Sequence, residues 1–249
     1  METLRTPPRP AGPMKNARLR KAAGRTSPSS PLITTCFPRI SRSGPIPGAG
    51  IVVRRVQIGE DGEGYSVEGT PAEAAGLGIM ALSGGAPFDL VIAGINRGEN
   101  TGLANLYSGT VNAAMEALVR GAPAIAVSQD AAYDDDFAFS AALTRKFADR
   151  VLKYGLPQGV MLNVNIPVDP RGVVIVPSRG LSVAVAGFDA SEQEDGAVLY
   201  APRMAAVNDM PDGDVRAYLE RYVSVAPLAL DRTSNDAFGE LGWIGDVEF

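Results

Sequence analysis

The side chains best suited to chemistry gather in one stretch, Phe88 to Asp130. Asn96, Arg97 and Asn100 fall in a run rich in Gly, Asn and Thr, and Ser108, Gly109 and Thr110 follow shortly after. Amides, hydroxyls and a guanidinium, with a glycine that permits close approach, suit an oxyanion. Ser-Gly-Thr at the start of a helix would add unpaired backbone N–H groups, an arrangement that favours phosphate above other ligands. Two readings stay open on this pattern alone. Ser108 could equally be an ordinary N-cap and Asn96 an ordinary turn residue.

The elements that must position these residues are legible around them. Asp89 to Ile95 is a short β-branched and apolar run, as expected of a buried parallel strand, which puts Asn96 at its carboxyl end. A helix opens at Ser108-Gly109-Thr110, carries Val111, Ala114, Met115 and Leu118 on its apolar face and stops at Gly121. Ala124 to Ser128 is the next strand, so the unit reads βαβ, and in such sheets ligands bind outside the carboxyl ends of the strands.

Composition narrows the chemistry further. The chain has 249 residues, 45% of them hydrophobic, enough for one large α/β domain. It contains no histidine, which removes Ser-His-Asp and Cys-His triads and His-ligated metal sites together. One cysteine, Cys36, rules out an intramolecular disulfide and a thiolate metal site, and with no secretory pattern the expected compartment is the cytoplasm. Carboxylate, hydroxyl, amide, Lys, Arg and Tyr remain, so a bound metal would be a hard ion such as Mg²⁺ or Mn²⁺. No run is long and apolar enough to cross a membrane.

Charge is unevenly spread. Residues 1–50 hold nine Lys or Arg and one acid, against 14 basic and 27 acidic residues in 51–249. The acidic body argues against DNA binding. The basic segment holds nine of the 19 prolines and no sustained apolar period, and residues 1–35 are expected to be disordered or non-native, with the domain spanning 36–249.

Elsewhere, Ile51 to Ile58 reads as a strand, an acidic turn leads to Tyr65-Ser66-Val67, and a helix capped by Thr70 runs to Leu82. Asp134, Asp135 and Asp136 precede an amphipathic helix to about Tyr154 and read as helix-start acids rather than metal ligands, because no strand end positions them. Met161 to Ile166 and Val173 to Val176 are further strands, as is Tyr222 to Leu228, and a short helix follows from Ser234. Leu181 to Phe188 and Ala197 to Ala201 suggest a β-hairpin arm. Alternating strands and helices imply a mostly parallel sheet between helical layers.

GINRGENTG followed by YSGTVNAAMEALVRGAPAIAVS, with YSVEGTPAEAA upstream and LNVNIP and YVSVAPLALD downstream, resembles the SurE family of survival-protein nucleotidases over residues 36–235. The resemblance implies a Rossmann-like α/β/α sandwich that hydrolyses phosphomonoesters, chiefly nucleoside 5′- and 3′-monophosphates. It also implies one divalent cation and a homodimer or homotetramer built through extended arms. The family's metal ligands come from an NDDG motif, the Ser of an SG dipeptide and the Asn of GIN. Ser43, five residues after Pro38, matches the second and Asn96 the third, while Ser108, Gly109 and Thr110 match the segment beside the substrate phosphate. Asn100 and Arg97 are lesser candidates for substrate contact.

The chain contains no NDDG string. If Ala11 matches the alanine after that motif, Arg5, Thr6, Pro7 and Pro8 stand in its place, and composition foreign to the family upstream of Cys36 suggests a frameshifted or misassigned start. A dication held only by an amide and a hydroxyl lacks the carboxylates that offset its dehydration, so weak metal binding and impaired hydrolysis are expected. Glu73 where the family usually has Asp, and the lack of a late His near Arg232-Thr233-Ser234, matter less. The alternatives to a nucleotidase are a catalytically silent nucleotide- or phosphate-binding protein and an oligomeric assembly protein.

Overall fold

A computed structural model describes residues 32–35, 50–58, 62–84, 86–134, 136–181, 183–206, 210–234, 237 and 241. Ser43, Asp135 and the helix expected from Ser234 fall largely or wholly outside them. Among the described residues ten strands, β1 (Leu32–Thr35), β2 (Val52–Ile58), β3 (Gly62–Glu68), β4 (Val91–Arg97), β5 (Ala124–Gln129), β6 (Val160–Ile166), β7 (Gly172–Ile175), β8 (Val183–Glu192), β9 (Val198–Ala206) and β10 (Tyr222–Ala229), alternate with four α-helices. The helices are α1 (Pro71–Leu77), α2 (Gly109–Val119), α3 (Ala138–Tyr154) and α4 (Asp214–Leu219).

The central sheet runs β4-β5-β6-β10-β7. β4, β5 and β6 are mutually parallel, β10 is antiparallel to β6, and β7 is parallel to β10. Side chains alternate across β5: Ala124 and Ala126 pack with α2, and Ile125 and Val127 lie in the cluster that includes Val151, Leu143 and Phe147 of α3. Two apolar clusters, one on each face, make the three-layer Rossmann-like α/β/α arrangement. The α2 side is built of small residues, Ala93, Ala113, Ala114, Ala117, Ala124 and Ala126, which lets that helix lie close to the strands.

A second sheet, β1-β3-β2, pairs β1 parallel and β2 antiparallel to β3. Its first strand, Leu32–Thr35, lies within the segment expected to be disordered or non-native and pairs with β3. β8 and β9 make the expected hairpin, longer than the sequence suggests and exposed along much of both strands.

α1 begins as expected, with Thr70 as N-cap and Pro71 in the first turn. Glu73 closes a capping box, accepting from Thr70 N at 2.7 Å while its own N–H donates to Thr70 Oγ1 at 3.1 Å. The helix ends at Leu77 rather than Leu82, and Gly78–Leu82 continue as a wider π-helical turn. Among the described residues no helix is long and apolar enough to cross a membrane.

Candidate functional site

β4 runs to Arg97, two residues beyond its expected end, so Asn96 is held inside the sheet opposite Ser128 of β5. Gly94 makes this possible. Its φ is +127°, and a Cβ there would lie 2.4 Å from the Val127 carbonyl oxygen, so a side chain would break the close approach of β4 to β5 at their register shift. The Asn96 amide donates through Nδ2 to Gly98 O at 2.8 Å and Arg97 O at 3.2 Å, which leaves Oδ1 as its donor atom for a ligand. Arg97 pairs at the surface with Asp134 at 2.5 Å.

Asn100 is turned inward and is 9% exposed. Its Nδ2 donates to Ser128 Oγ at 2.7 Å, its backbone N–H donates to Asn165 Oδ1 at 2.7 Å, and its carbonyl accepts from Asn163 Nδ2 at 2.9 Å. Two residues on, Gly102 N donates to the buried Asp214 carboxylate, which also accepts from Arg179 N, Val215 N and Ser178 Oγ. Burial lifts the Asp214 carboxyl above its ordinary range, although these four donors oppose the shift.

From that stitched loop the chain passes through a 3₁₀ turn, Gly102–Leu106, into α2. Ser108 caps α2, its Oγ accepting from Val111 N at 3.2 Å. Gly109 packs so tightly on α1 that a Cβ would sit 2.7 Å from Pro71 Cγ, so one flank of the opening is covered. The N–H groups of Gly109 and Thr110 have no intrahelical acceptor, as at every helix start, and both residues are half-buried. Those N–H groups and the Thr110 hydroxyl are the anion-binding inventory, whereas Asn96 Oδ1, an acceptor, suits a cation or a protonated group.

Two cavities lie elsewhere. One of about 540 Å³ is lined by Leu103, Leu106, Met115 and Ile175 with Arg232 at its edge, and one of about 360 Å³ by Asp130, Asp169, Tyr218 and Arg221. Neither is lined by Asn96 or by residues 108–110. At the smaller one, Tyr218 OH donates to Asp130 Oδ2 at 2.7 Å, and burial, reinforced by that carboxylate, pushes the phenol far above its usual 10.0.

The residues that sequence reasoning missed are Asn163, Asn165 and Asp214. The signal for the first two was present, since LNVNIP sets two asparagines two apart in an apolar strand, where alternation places both on one face.

A divalent cation of the Mg²⁺ or Mn²⁺ class is usually held through one or two carboxylates among its oxygen ligands. Among the described residues no three His, Cys, Asp or Glu side chains come together to supply them. Asp134 is already paired with Arg97, the residue next to Asn96. The described residues therefore offer a dication the Asn96 Oδ1 and no acidic cluster.

The family profile of "Survival protein SurE" matches residues 17–187. The 5′-nucleotidase SurE of Symbiobacterium thermophilum is 39% identical over 185 residues, covering 71% of this chain and 70% of that protein. Its counterpart from Syntrophus aciditrophicus is 33% identical over 198 residues, covering 77% and 74%. The crystal structure of the SurE protein from Aquifex aeolicus superposes with a TM-score of 0.70 at 28% identity, covering 82% of this chain and 84% of that one.

Proposed function

Since the chain belongs to the survival protein SurE family, we propose that it binds nucleoside 5′- and 3′-monophosphates at the opening of α2 and hydrolyses their phosphomonoester bond. Water attacks phosphorus, the ester P–O bond breaks, and inorganic phosphate and the nucleoside leave. The observation that carries this reading is the helix start of Ser108, Gly109 and Thr110, reached from the end of β4 through a glycine-rich loop stitched to the sheet.

In this reading the first-turn N–H groups and the Thr110 hydroxyl hold the phosphate oxygens, Ser108 keeps α2 in place, and Asn96 Oδ1 at the strand end accepts a hydrogen bond from the attacking water. These are preorganised dipoles, and their contribution grows where water is excluded. Because the described residues bring no acidic cluster to the site, turnover is expected well below that of a family member with a full carboxylate set. Assembly through the β8–β9 hairpin belongs to the same proposal, supported by Phe188, Val198 and Tyr200, which share one exposed face of it.

The test is release of inorganic phosphate from a nucleoside 5′-monophosphate by purified protein, with and without Mn²⁺, beside calorimetric titration with inorganic phosphate. Slow release with measurable phosphate affinity is the expected result. Absence of both would overturn the reading.

A further inference from the structure

The row of buried polar residues beneath the loop points to a role beyond packing. On the α2 face of the sheet, Ser128, Asn165 and Ser224 are neighbours across β5, β6 and β10, and Asn163 lies one pleat away. All four are fully buried. Apolar side chains would fill this position at lower cost, because Asn163 Oδ1, Asn165 Nδ2 and Ser224 Oγ find no hydrogen-bond partner. Departures of this kind from the packing rule concentrate where function demands them.

What the two asparagines gain is the backbone of one loop residue, Asn100. Asn165 accepts from Asn100 N–H and Asn163 donates to Asn100 C=O, so both polar groups of a single loop residue are gripped from β6, and Ser128 holds its side chain. The grip passes along the loop. Gly102 N is fixed by Asp214, Leu103 N donates to Gly180 O at 2.9 Å, and Ser108 N donates to Asn105 O at 3.3 Å immediately before α2 opens. We propose that Asn163 and Asn165 are positioning residues that set where the Asn96 turn and the α2 opening stand relative to the sheet, and so tune phosphate binding without touching the ligand. This inference rests on the phosphate site proposed above.

The two asparagines act in opposite senses, one as donor and one as acceptor, and that supplies the test. Asn165→Asp keeps an acceptor for Asn100 N–H, whereas Asn163→Asp replaces a donor with an oxygen facing a carbonyl. A packing role alone predicts equal damage, since both substitutions bury a carboxyl on the same strand. The readouts are hydrogen exchange of the 98–106 amides followed by mass spectrometry, the melting temperature, and the Kd for inorganic phosphate.

The proposal expects Asn163→Asp to speed exchange across 98–106 by roughly tenfold or more and to weaken phosphate binding in parallel, beyond any change in Asn165→Asp. Equal effects in the two variants, or faster loop exchange with unchanged phosphate affinity, would overturn it. If wild-type protein neither binds phosphate nor hydrolyses the ester, the functional reading fails instead, and the exchange contrast alone then decides whether the clamp exists.

Discussion

Asn96 and Asn100 are chemically identical and four residues apart, yet one ends a strand with its carbonyl oxygen available and the other is buried against β5 and β6. Asn96→Asp would set a negative charge where phosphate is proposed to lie. Calorimetry should then give a Kd for inorganic phosphate raised roughly tenfold or more, and an unchanged value would move the anion away from β4. Tyr218 offers a second test through pH. Its folded pKa lies above 10.0, so its stabilising contribution is complete below that value and is lost as pH rises through the higher folded one. Tyr218→Phe should cost ~1 kcal/mol of stability at neutral pH, the worth of the Asp130 hydrogen bond, seen as a lowered melting temperature, and should flatten the alkaline limb, as read from melts across a pH series.

Among the elements, α1 shows how much a short helix owes to its first turn. It has seven residues, and its capping box satisfies two N–H groups that packing cannot reach. Glu73→Ala should cost about 1 kcal/mol, measured as a lowered urea midpoint with an unchanged slope. Such local devices are why the β4–α2–β5 unit and the Thr70 cap were legible in the sequence: apolar spacing and cap chemistry lie within a few residues of what they determine. α4 was missed because six residues are too short to display a period. The antiparallel return of β10 was missed because register depends on strands far away in the chain. At the site, the positions of Asn96 and Ser108 could be read from neighbouring residues. The inward turn of Asn100 could not, since its partners Asn163 and Asn165 come 63 and 65 residues later.

Taken whole, the chain sets an acidic body, 14 basic against 27 acidic residues over 51–249, around a site proposed for an anion. Capture therefore relies on short-range dipoles rather than long-range attraction. The β8–β9 hairpin is a separate feature. Replacing both Phe188 and Tyr200 by Glu should reduce the proposed oligomer to monomers by light scattering and leave the melting temperature nearly unchanged, because both side chains are exposed, at 60% and 63%. The placing of β10 between β6 and β7 bears on how the molecule is made. During synthesis β6 keeps one open flank, and β7 waits without its neighbour, until residues 222–229 have cleared the ribosome. For that interval the nascent chain presents unfinished edges to other chains, so a pause in translation late in the message would leave it dependent on chaperones and exposed to proteases.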